Sequence, residues 1–276
     1  MLRETLDSKE NVWVLLPVIP DKDILEKCYS VYNRKDAIPP DPLETVYNYK
    51  TARDQEIAGF IAAVFAYGRV TQILSSLADL SKRTGDLYEF VTKVSEKEKI
   101  TRLKGWKHRF ADGKDCARLF MGLSRILEMH GSLENTFCDG FKPEDTTVYP
   151  ALCVFYQKLA RAGGLAGNHI LPDPAKGSAC KRFHLFLRWM VRKDNVDPGV
   201  WKTIPASRLI VPLDVHMHRV CRELGATARK QADLAAALEA TEFFRRISPE
   251  DPVKYDFCLT RAGIWGNNQR ADFAVV

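Results

Sequence analysis

An all-α fold is what this chain predicts, on three observations. Apolar residues recur at three- and four-residue steps through most of its length, the spacing of one helix face. Gly and Pro cut that pattern into pieces of helix length. Alternating runs of β-branched residues, the mark of strands, are scarce. With 276 residues, 46% of them hydrophobic, the chain can bury a large core as one domain or two intimate lobes. A net charge of +6 suits a polyanionic partner without demanding one. No apolar run is long enough to span a bilayer and no signal peptide is evident, so a cytoplasmic protein away from membranes is expected. Seven cysteines, an odd number with no two at C-x-x-C spacing, fit reduced thiols.

The elements follow in order. Residues 12–17 read as a short extended piece or a crossover. Residues 22–32 read as a helix with Ile24, Leu25, Cys28 and Val31 inward. A Pro-rich connector at 37–42 leads to a surface loop at 47–50. Residues 53–83 are the longest helical region, with Ile57, Phe60, Ile61, Val64 and Phe65 on a buried face. Tyr67, Gly68 and Arg69 interrupt it, and a second helix follows through Ile73, Leu74 and Leu77. Residues 86–110 join Leu87, Phe90 and Val91 to a basic, aromatic surface with Lys104, Lys107, His108 and Arg109. That surface suits phosphates; a solvated helix end is the alternative. Residues 114–130 form an amphipathic helix ended by Gly131. Residues 148–165 form another, buried through Leu152, Phe155 and Leu159. The glycine-rich stretch after it has no preceding strand and no GK[ST], which argues against a nucleotide-binding loop. Residues 232–247 make an Ala-rich helix with Leu234, Leu238 and Phe243. Asp251 is the expected cap of the last helix, with Pro252 in its first turn and Tyr255, Asp256, Phe257 and Leu259 along it. Gly263, Trp265 and Asn267 close the fold.

The chemistry concentrates between residues 177 and 220. From Lys181 to Arg192 there is no Gly or Pro, and Phe183, Leu187, Met190 and Val191 share one face. Lys181, His184, Arg188 and Arg192 share another, which reads as an exposed cationic stripe with Lys181 at its N-terminal end. The helix dipole disfavours a protonated amine there, which suits a nucleophile. The alternative is a solvated face with Ser178 as cap. Downstream, Leu209, Ile210, Val211 and Leu213 approach Asp214, a good N-cap for a helix to about Leu224, with Gly225 as its stop. A carboxylate there stays ionised and can steer an amine, or it is a plain structural cap. His216 and His218 point to different helix faces, which argues against one zinc ion bound by both.

VPLDVHMHRV, residues 211–220, resembles the run around the catalytic aspartate of the helix-hairpin-helix DNA glycosylases, most closely the 8-oxoguanine glycosylases. GSACKR, residues 177–182, sits where that superfamily has its hairpin and catalytic lysine, with Ala179 in place of the second hairpin glycine. The whole chain also resembles a bacterial family of unknown function (DUF2400-like), through DQEIAGFIAA, GSACKR, FLRWMVR and DPVKYDF. The glycosylase resemblance implies a two-lobed helical fold with a central cleft, with lobes near 51–165 and 166–276 and residues 1–50 packing across them. It implies base excision with abasic-site lyase activity on double-stranded DNA carrying a damaged base, by a monomer, nucleoid-associated in the cytoplasm. Lys181 and Asp214 would be catalytic, and Asp256 and Phe257 would read the base, with ordinary packing as the alternative, favoured for Phe257. Tyr67 and Arg69 would enter the base stack at the helix break, unless Gly68 is only a helix junction. Gly177, Ser178, Arg182, His184, Arg188, His216 and Arg219 would hold DNA. No cofactor is implied, and without the four-cysteine cluster loop no iron–sulfur centre is expected. The alternatives are a catalytically inactive nucleic-acid-binding protein of the same fold, or a metal-dependent hydrolase using Asp214, His216 and His218.

Overall fold

The computed structural model describes residues 21–265, with side chains to residue 262. The expectations at residues 12–17 and at Asn267 fall outside them, and at Gly263 and Trp265 only the backbone is described. The described chain is mainly helical, as its periodicity requires, and none of its helices is long and apolar enough to cross a membrane.

Helix α1 (Lys22–Tyr32) starts at Asp21, whose carboxylate accepts from the Asp23 N–H. Leu25 and Cys28 face inward against the last helix, but Ile24 and Val31 stay exposed, a correction to the expected four-residue face. A 3-10 turn (Pro42–Asn48) leads to α2 (Ala52–Val64), capped by Thr51. Every residue from Glu56 to Val64 is buried, the mark of a helix wrapped on all sides. Glu56 is tolerated there because its carboxylate accepts from the Leu133 N–H at 3.0 Å, the Glu134 N–H at 2.8 Å and Trp201 Nε1 at 2.7 Å. It caps a helix distant in sequence and leaves no lone buried charge.

After the break at residues 65–69 come α3 (Val70–Thr84), α4 (Leu87–Thr92) and α5 (Glu96–Leu103). A hairpin follows, β1 (Lys107–His108) paired antiparallel with β2 (Ala111–Asp112). It was not foreseen, because two-residue strands are too short to show alternation. Asp112 and Asp115 form a capping box that starts α6 (Gly113–His130). Next are α7 (Leu133–Cys138), α8 (Tyr149–Gly163), α9 (Lys181–Val191), α10 (Val215–Glu223), α11 (Leu234–Ile247) and α12 (Asp256–Trp265). The last helix begins later than expected. Residues 252–255 are a turn, and Asp251 directs its carboxylate to Arg192 at 2.9 and 3.1 Å.

The core is aromatic where α2, α8 and α9 meet. Phe60 packs on Phe186 with centroids 5.2 Å apart, and Phe186 continues to Trp201 at 5.2 Å. Phe155 links the same group to Phe137 at 5.5 Å. Two glycines test how rigid this packing is. A Cβ on Gly163 would lie 2.9 Å from the Arg118 carbonyl, in the α6–α8 contact, where backbone cannot yield. A Cβ on Gly59 would lie 2.7 Å from Cε of Met190, the flexible end of a side chain. Gly163→Ala is therefore expected to cost about 1–3 kcal/mol. Gly59→Ala is expected to stay within about 1 kcal/mol of the parent, because helix propensity offsets the repacking. Urea denaturation of both variants measures the contrast.

Candidate functional site

The turn before α9 sets the position of Lys181. Gly177 has φ 77° and Cys180 φ 44°, while Ala179 is not in the left-handed region. The turn thus avoids strain at Ala179 and places it one residue later, at a cost of roughly 1–2 kcal/mol. The backbone is pinned by the Leu234 N–H, which donates to the Gly177 carbonyl at 2.9 Å. Ser178 does not cap α9: its hydroxyl accepts from the Cys180 N–H, and the helix start has no side-chain cap.

Asp214 is the N-cap of α10, as its place in the sequence predicts. The approach to it, Leu209 to Leu213, is buried, and Thr241 Oγ1 on α11 accepts from the Val211 N–H at 3.0 Å. One carboxylate oxygen of Asp214 accepts from the Met217 N–H at 2.8 Å. The other lies 3.3 Å from Lys181 Nζ. The lysine side chain is 32% exposed and the aspartate 25%, so the pair is reachable from solvent. Val215, 79% exposed, and His216 stand beside it on the surface.

The rest of the α9 polar face lies inside the protein. His184, Arg188 and Arg192 are buried, which corrects the expected exposed stripe and removes His184 and Arg188 from any phosphate-contacting surface. His184 has no hydrogen-bond partner at either ring nitrogen, and burial pushes its pKa down to about 3, so the ring is neutral. Arg188 pairs with Asp197 at 3.2 Å and with Asp256. Arg192 pairs with Asp194 at 3.0 Å, with Asp251 at 2.9 Å and with Asp197. Tyr29 donates its hydroxyl to Asp194 at 2.9 Å, tying α1 to the network. A polar face at helical spacing carries the same sequence signal whether it meets water or buried carboxylates, and here it meets carboxylates.

That network also corrects the expected base readers. Asp256 is 3% exposed and bound to Arg188. Phe257 is 5% exposed and lies under the guanidinium groups of Arg188 and Arg261. Neither presents a free face to a ligand. Burial pushes the Asp256 pKa up to about 6 against the pull of Arg188, and Asp214 and Asp197 add to the rise. Folded protein therefore holds a proton that the unfolded chain has lost between about pH 4 and 6. This contribution is complete below that window and is lost as pH rises through it. The stability difference between wild type and Asp256→Asn should fall by on the order of 2 kcal/mol from pH 4 to pH 7. Thermal melts across that range measure it.

Arg182 is likewise a strut. It donates to the carbonyls of Val64 at 2.7 Å, Ile170 at 2.8 Å and His169 at 3.0 Å, and its guanidinium lies 5.0 Å from the centre of the Tyr67 ring. Tyr67 is half-buried between Arg182 and His108, whose ring is 4.7 Å away, so it is not free to enter a base stack. Arg69 is exposed at the start of α3. His216 and Arg219 are exposed on α10, whereas His218 is buried with Nε2 3.0 Å from the Arg229 carbonyl. The two histidines thus face apart, and no group of three or more His, Cys, Asp or Glu suited to a metal ion occurs among the described residues. The structure brings together Lys181 with Asp214 and Tyr67 with Arg182, and it turns His184, Arg188, Asp256 and Phe257 inward.

No curated protein and no solved structure matches this chain. One family model does match, over residues 41–265, from the 3-10 turn before α2 to the end of α12. The chain belongs to that family, described as "Protein of unknown function (DUF2400)".

Proposed function

We infer that the protein is a DNA glycosylase with abasic-site lyase activity, acting through Lys181 and Asp214. The observation that carries this reading is the solvent-reachable contact of 3.3 Å between an amine at the start of one helix and a carboxylate at the start of another. The resemblance of residues 177–182 and 211–220 to the lysine and aspartate segments of the 8-oxoguanine glycosylases supplies the reaction class, with oxidised purine as the expected lesion.

The chemistry asks little else of the chain. The Lys181 amine bonds to C1′ of an extruded nucleotide as the glycosidic bond breaks, and the bonding pair leaves with the base, which takes up a proton. The amine nitrogen loses a proton, for which Asp214 is the near acceptor, and the same carboxylate stabilises positive charge on the sugar. The nitrogen lone pair then forms C1′=N as the C1′–O4′ bond breaks, and O4′ takes up a proton, which opens the sugar ring and gives a protonated Schiff base. Loss of a C2′ proton then expels the 3′ phosphate and nicks the strand.

A second reading has its own support. Both Asp214 oxygens are engaged, one by the helix N–H and one by Lys181, as in a plain structural ion pair. A non-catalytic DNA-binding module would keep that arrangement. A panel of duplexes, each with one modified base, separates the two when incubated with wild type and Lys181→Gln. The enzyme releases one base, and only with Lys181 present; a binding module retains duplexes and releases none.

A further inference from the structure

The hairpin β1–β2 presents an exposed aromatic ring. Phe110 is 77% exposed at the tip of the two-residue turn between the strands. The turn is firmly held below. Trp106 Nε1 donates to the Ser76 carbonyl at 3.0 Å, and His108 has one ring nitrogen 3.0 Å from Ser76 Oγ and the other 3.0 Å from the Tyr67 carbonyl. Burial pushes the His108 pKa down. Alternation in the strands buries His108 and Ala111 and exposes Lys107. Trp106 before them is buried, and the turn residues Arg109 and Phe110 are both exposed.

Arg109 occupies the first turn position with φ 54°, a conformation that favours glycine. A large side chain sits at a place where it strains the backbone. Such outliers persist where the side chain has a use. Here the guanidinium stands 5.4 Å from the centre of the Phe110 ring, and the Arg109 stem packs over the open face of Gly68. Lys107 and Arg69 are exposed alongside. Asp112, the nearby carboxylate, is committed to the N–H groups that start α6. The patch is also joined to the site described above. Arg109 meets Gly68, the Tyr67 ring is covered by Arg182, and Arg182 follows Lys181 in the chain.

We propose that Phe110 and Arg109 form a stacking platform for an unpaired base of DNA, with Lys107 and Arg69 taking the flanking phosphates. An exposed ring backed by a guanidinium offers a flat, sequence-tolerant face to a base, and the lysine and arginine beside it match a phosphate backbone. The platform rests on the DNA reading of Lys181 and Asp214. It names the substrate feature that this reading leaves open, a base already out of its pair, and assigns it a receptor that the sequence motifs did not single out.

The probe is a duplex with one adenine opposite a tetrahydrofuran abasic analogue, compared by fluorescence anisotropy with the fully paired duplex. Phe110→Ala should weaken binding of the analogue duplex roughly tenfold and of the paired duplex less than about twofold, with Phe110→Trp near wild type. Its melting temperature should match wild type, because the ring buries little. Equal affinities for wild type and Phe110→Ala on the analogue duplex would overturn the platform, as would a clear loss of thermal stability, which would make the ring a structural part. Duplex binding that needs Phe110 without any base release would leave the platform standing and remove the glycosylase. Base release with full activity in Phe110→Ala would do the reverse.

Discussion

Lys181→Gln should abolish base release and covalent capture of damaged DNA, a loss on the order of 10⁴-fold or more, and leave the fold intact. Glutamine keeps much of the side chain's length but has no amine to attack C1′ or to form a Schiff base. The pair with Asp214 is partly exposed, so losing it should cost less than about 1 kcal/mol of stability. Asp214→Asn refines the test. Asparagine caps helices as well as aspartate does, so α10 should keep its start. The charge beside the amine is lost, and base release should slow roughly 10²–10⁴-fold. Single-turnover assays on a duplex with one oxidised purine, beside thermal melts of the same variants, measure both effects. Equal activity in wild type and Lys181→Gln would return the pair to a structural role.

The largest effect on stability belongs to the buried network. Arg188→Ala should destabilise the protein by about 3–5 kcal/mol. Arg188 is 3% exposed and is the guanidinium that answers Asp256, while sharing Asp197 with Arg192. Its removal leaves the buried Asp256 without its partner cation, and uncompensated buried charge is among the costliest single changes. The second arm is Arg188→Met combined with Asp256→Asn. Methionine refills the space and asparagine removes the orphaned charge, so the double variant should recover much of the loss. Urea unfolding of the two is the measurement. A loss below about 1 kcal/mol for Arg188→Ala would mean that the network is hydrated and contributes little.

Much of the helical skeleton could be read in advance, because apolar spacing and caps act locally. Asp214 before a helix, Gly131 after one and the unbroken run from Lys181 are signals held within a few residues. What failed was the direction of polar faces. The cationic stripe of α9 looked solvent-facing because its partners come from two loops, one with Asp194 and Asp197 and one with Asp251, and from the start of α12 at Asp256, whose folding back onto α9 no apolar spacing encodes. The same gap hid Glu56, whose donors are Leu133, Glu134 and Trp201. Ile24 and Val31 failed in the opposite sense: both are apolar residues at helical spacing that stand exposed on α1. Phe110 lay inside a stretch read as basic and aromatic, but only the hairpin shows that His108 turns in while Phe110 turns out.

The contact between Lys181 and Asp214 is best tested by the site of covalent attachment. A duplex with a natural abasic site, incubated with the protein and sodium borohydride, should yield a reduced adduct. Peptide mapping should place it on Lys181, and it should vanish in Lys181→Gln. An adduct spread over surface lysines, or one undiminished by that substitution, would contradict a catalytic lysine at the start of α9.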